Sequence, residues 1–98
     1  MVMHIGAARL TLYLPENGSL KEKRMVVKSV AQRVRNRFNV AVAEVDTQDT
    51  WSVATLGITC VSGDARHANE MLSKVIHFIE EERLDADVGE VEIEIIPL

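Results

Sequence analysis

Along this chain the spacing of apolar residues switches between two and 3.6 in the order two, 3.6, two, two, 3.6, two, and few folds accept that order. Residues 2–14 carry Val2, Ala8, Leu10, Leu12 and Leu14 at even positions with Arg9, Thr11 and Tyr13 between them, the pattern of a strand with one dry face. Pro15, Glu16, Asn17 and Gly18 break it, because proline lacks a donor and Asn-Gly tolerates positive φ. Ser19-Leu20-Lys21-Glu22 then matches a capping box, in which serine and glutamate satisfy the orphan amides of a helix start. The spacing predicts a helix over 20–38, with Leu20, Val27, Val30, Ala31, Val34 and Phe38 in one stripe and Asn39 as a left-handed terminal cap. Residues 40–45 and 51–61 read as strands joined by a turn at 46–49. In the second of these, Leu56, Ile58 and Cys60 share one face, with Thr55, Gly57 and Thr59 on the other. Ser62, Gly63 and Asp64 cap a second helix over 65–84, whose stripe is Ala68, Met71, Leu72, Val75 and Ile79 and whose outer face pairs Glu70 with Lys74. After a turn at 85–89, residues 90–97 form the last strand, Val91, Ile93 and Ile95 dry and Glu92 and Glu94 wet.

Right-handed crossovers turn this βαββαβ order into an α+β ferredoxin-like domain, a four-stranded antiparallel sheet with two helices on one face. No linker, repeat or low-complexity stretch interrupts residues 1–98, so one ferredoxin-like domain is expected. The fold hosts many unrelated activities and settles none.

Charge is segregated. Residues 19–39 hold seven of the eleven basic residues against Glu22 alone, which is +6, so the remainder sums to −10 to give the net −4. Residues 80–98 carry eight acids against Arg83, which is −7. On the helical wheel Lys21, Arg24, Lys28 and Arg35 form one flank of the apolar stripe, and Arg33 and Arg37 the other. The first flank is spaced to engage phosphates or a partner's carboxylates. Its plain alternative is a solvated face, partly paired with the second helix or the acidic C-terminal third. Lys23 falls almost within the apolar stripe, and two readings stand: its stem snorkels to water, or it pairs at the helix start with a sheet carboxylate, Glu44 or Glu92.

Catalytic chemistry finds little to build on. His67 and His77 lie ten residues apart on one helix, about 80° and roughly 15 Å from each other, too far to share a metal. No glycine-rich phosphate loop occurs, and Cys60 lies mid-strand on the dry face, where it reads as a small hydrophobe. Tyr13, Phe38, Trp51 and Phe78 are too sparse for a base-stacking sheet. The sequence therefore predicts no enzyme, metal or cofactor and identifies no small-molecule ligand; a small-ligand regulatory domain has only the fold behind it. A single cysteine, and the lack of a signal peptide or a membrane-length apolar run, predict a cytoplasmic protein.

SLKEKR at 19–24, followed by Val27, Arg33, Arg37, Phe38, Asn39 and Val40, resembles the YlxP-like family, domain of unknown function 503. GDARHANEMLSKVIHFIE at 63–80 is similar to the family's second-helix segment, and the match runs in order along essentially the whole chain. The resemblance implies a ferredoxin-like bacterial cytoplasmic protein without a catalytic set. It also implies an RNA or ribosome context, because members tend to be encoded near translation-initiation and ribosome-maturation genes. The leading expectation is a non-enzymatic accessory factor meeting RNA or a ribosomal particle through Lys21, Arg24, Lys28 and Arg35. The alternative is a homodimeric protein–protein module using the open sheet face or edge.

Overall fold

The computed structural model describes residues 2–15, 18–82 and 86–98. Its elements run β1 (His4–Tyr13), α1 (Leu20–Arg37), β2 (Ala41–Glu44), β3 (Val53–Ser62), α2 (Ala65–Glu81) and β4 (Asp87–Pro97). The strands form one antiparallel sheet in the order β2-β3-β1-β4, the ferredoxin-like arrangement. The second helix ends at Glu81, with Glu82 already in extended backbone, short of the expected Leu84; the expected breaks at Glu16 and Asn17, and Asp85 of the expected turn, lie outside the described residues.

The period-two pattern sorts the faces as expected. Ala8, Leu10 and Leu12 of β1 and Ala54, Leu56, Ile58 and Cys60 of β3 are buried against Val30 and Val34 of α1 and Leu72, Val75 and Ile79 of α2. Ser19 caps α1 by accepting the Glu22 N–H at 3.1 Å, while the Glu22 carboxylate reaches past the cap to the Gly18 N–H at 2.9 Å. Asp64 caps α2 by accepting the Arg66 N–H at 2.9 Å.

Four local expectations are corrected. Asn39 is not a left-handed cap: Phe38 leaves α1 directly into extended backbone (φ −130), its N–H still bonded to the Val34 carbonyl. The described non-glycine residue at positive φ is Asp46, in the β2–β3 turn. Phe38 is held there by Phe78, whose ring meets it edge-on at 5.7 Å, so packing decides the exit from the helix. Secondly, β4 starts before Gly89. Leu10 and Leu12 of β1 pair with Val91 and Val88, so β4 spends one extra residue there, a bulge over which the Tyr13 ring lies against Gly89. Thirdly, the dry side of β4 is only half covered, with Val91 39% and Ile93 38% exposed, because this strand is outermost in the sheet. Lastly, Glu70 and Lys74 are both exposed and form no ion pair with each other.

Candidate functional site

All four residues of the predicted flank, Lys21, Arg24, Lys28 and Arg35, are solvent-exposed on α1. Arg35 fixes the flank's place in the fold by donating to the Val42 carbonyl at 3.3 Å, on the outer strand β2. Lys21, Arg24 and Lys28 make no hydrogen bond or ion pair with any described residue. The acidic strand β4, with Glu90, Glu92 and Glu94, occupies the opposite edge of the sheet. Strand order therefore keeps the basic flank and the C-terminal acids apart, and the four cations are not neutralised by β4.

The other basic flank is absorbed by the fold. Arg33 pairs with Glu82 at 2.7 Å across the helix layer, and the Arg37 guanidinium stands 5.1 Å from the centre of the Phe78 ring. These contacts tie α1 to α2. Arg37, Phe78 and Glu82 also line a hollow of about 460 Å³ with Phe38, Lys74, His77 and Glu81, which local spacing does not reveal because one phenylalanine stands just past α1 and the other on α2.

Lys23 does not snorkel. Its side chain is 1% exposed and its Nζ lies 2.7 Å from Glu44 Oε2. The ammonium also donates to the carbonyls of Thr47 and Thr50 and, at 3.2 Å, of Val53. Glu44 in turn accepts from the Thr47 hydroxyl at 3.0 Å, and that hydroxyl accepts the Thr55 N–H at 2.7 Å. The alternative partner is ruled out by topology: Glu92 is on β4 and faces Arg9 at 3.8 Å. Lys23 is thus a clamp that holds the β2–β3 loop against the start of α1, with the charge satisfied on all sides.

Little else offers chemistry. Among the described residues no group of three His, Cys, Asp or Glu side chains is placed to hold a metal. Cys60 is buried, and desolvation pushes its thiol above the ordinary value, partly offset by a backbone hydrogen bond from Gly6. Such a thiol is a poor nucleophile at neutral pH. Trp51 is half exposed in the clamped loop. No described helix is long and apolar enough to cross a membrane.

Comparison with known proteins adds a family. The model described as "Protein of unknown function (DUF503)" matches residues 5–93, from β1 into β4. The chain is 41% identical over 76 residues to the "Uncharacterized protein YlxP" of Bacillus subtilis (strain 168), an alignment spanning 78% of this chain and 83% of that protein.

Proposed function

The chain belongs to the DUF503 family of proteins of unknown function, and from that premise we propose that it is a non-enzymatic cytoplasmic accessory factor that binds RNA or a ribosomal particle. Lys21, Arg24, Lys28 and Arg35 make the contacts, each to a phosphate. One observation carries the reading: three of these four cations have no described partner, whereas Lys23, Arg33 and Arg37 are each used by the fold. A basic strip left unneutralised on one edge of an acidic domain attracts polyanions locally, although the net charge is −4. The negative edge at β4 would orient the encounter by repelling phosphates from the far side. Bound this way, Lys23 contributes by fixing the helix start rather than by touching RNA.

Fluorescence anisotropy with a labelled single-stranded RNA, and pelleting with ribosomal particles, test this over a range of salt. Neutralising about four phosphates of a single strand gives a slope of log affinity against log salt of roughly −3. The triple charge reversal Arg24→Glu, Lys28→Glu and Arg35→Glu should abolish binding, and unchanged affinity would sink the proposal.

A further inference from the structure

The uncovered face of the sheet is apolar at one end. Ile5 of β1 pairs with Val61 of β3 on one side and Ile96 of β4 on the other, so three β-branched side chains form one cross-strand row. Val61 is 66% exposed and Ile96 40%. One step further, Met3 and Leu98 exchange two backbone hydrogen bonds, at 2.9 and 2.7 Å, and both side chains are exposed. The hydrophobic core does not use this row, since it lies on the face away from both helices.

Moving along the strands, the same face becomes small and then charged. Ala7 lies between Thr59 and Glu94, and Arg9 between Gly57 and Glu92. The small residues leave a shallow hollow of about 520 Å³, lined by Ala7, Val45, Gly57 and Thr59 and edged by Arg9 and Glu92. Arg9 and Glu92 lie 3.8 Å apart and are more than half exposed, so neither charge is fully used within the chain.

We infer that this face binds a second copy of the same chain, sheet against sheet, about a two-fold axis running parallel to the strands. That axis overlays apolar row on apolar row, Ile5 against the partner's Ile5 and Val61 against the partner's Ile96. It also sets Glu92 over the hollow at the partner's Gly57 and within reach of the partner's Arg9. The same axis lays Arg9 over the partner's Arg9, and each guanidinium turns from its twin toward the partner's Glu92, so no carboxylate faces another carboxylate. An axis perpendicular to the strands would overlap only the apolar ends and leave the charges unpaired. Both helix layers stay outside, and the basic flank at the β2 edge stays free, so RNA binding and dimerisation are separable.

The sheet edges are poor alternatives. Self-pairing of β4 places Glu90, Glu92 or Glu94 opposite a glutamate of the other copy in any register centred on the strand. The bulge near Gly89 and the donor-free Pro97 further blunt that edge. At β2 the Val42 carbonyl is already covered by Arg35.

Area sets the scale. Three long strands of about 33 Å at about 4.8 Å spacing project roughly 480 Å², below the ~800 Å² per partner of a standard interface. The dimer is therefore expected to be weak and to form only at raised concentration. Sedimentation velocity of the full chain from micromolar to millimolar concentration should show a concentration-dependent shift from 10.9 kDa to twice that mass. Val61→Glu, on an exposed strand position and with circular dichroism unchanged, should leave only monomer. Arg9→Glu should weaken the dimer about tenfold and Arg9→Glu with Glu92→Arg should restore it, as expected for a charge pair at an interface. Monomer at every concentration overturns the inference, as does a dimer indifferent to Val61→Glu. A dimer strengthened by Glu94→Lys but untouched by Val61→Glu would mean edge pairing and would equally overturn it.

Discussion

Lys23 is the residue whose replacement the structure weighs best. Lys23→Met keeps the stem and removes the ammonium. It leaves Glu44 without its counter-ion and strands the carbonyls of Thr50 and Val53, while the Thr47 carbonyl keeps the Thr50 N–H at 3.0 Å. An orphaned buried polar group costs about 1–3 kcal/mol, and breaking a buried ion pair about 3–5 kcal/mol. Thr50 is exposed and Glu44 retains the Thr47 hydroxyl, so water and that contact recover part of the loss. A net cost of about 3 kcal/mol follows, a large share of the ~5–15 kcal/mol that holds a domain of this size together. At roughly 4–8 °C per kcal/mol, Tm should fall by about 12–24 °C. Glu44→Gln keeps the shape and one acceptor and should cost less, about 1–3 kcal/mol. The double variant should cost less than the sum, since Glu44 matters chiefly while the ammonium is present. Urea denaturation followed by circular dichroism gives the cycle, and Trp51, the sole tryptophan, reports separately on the clamped loop. A Lys23→Met cost under about 1 kcal/mol, the size of an ordinary surface change, would refute the clamp and return the side chain to solvent.

Two further outcomes follow from the core, and one from the flank. A Cβ added at Gly6 would stand 2.9 Å from both Cys60 Sγ and Leu72 Cδ1, so Gly6→Ala should destabilise by about 1–3 kcal/mol in a thermal melt. The Cys60 thiol should resist Ellman's reagent in the native state and react at once in denaturant. Its pKa is raised on folding, so the folded chain holds the proton longer; the associated stability is complete below the ordinary thiol value of about 8.5 and is lost as pH climbs above it. A Tm that rises through that alkaline window in wild type relative to Cys60→Ala would contradict the assignment. On the flank, each single neutralisation of Lys21, Arg24, Lys28 or Arg35 should reduce the RNA salt slope by about one.

The misread positions share a cause. Asn39 carried a good left-handed cap signal, yet Phe38 had already left the helix to meet Phe78, forty residues away in sequence. Gly89 carried a turn signal, yet it lies inside β4, beneath the Tyr13 ring. Glu70 and Lys74 had favourable helical spacing, but exposed charges gain too little from pairing to hold one geometry. In each case a local rule lost to a contact, or to a competing solvent, that local spacing does not encode.

Sequence by itself determined the element order, the dry and wet faces of β1 and β3, both helix caps and the separation of α1 into an apolar stripe and two basic flanks. Those follow from periods of two and 3.6 and from capping chemistry, all local in the chain. Only the tertiary structure decided what the charges do, because pairing is set by strand order and distance. It brought Glu44 to Lys23, Glu82 to Arg33 and Phe78 to Arg37, and it put the acids of β4 at the edge farthest from Lys21, Arg24, Lys28 and Arg35. The row of Val61, Ile5 and Ile96 likewise exists only through register, being assembled across three strands from residues that look unremarkable one at a time.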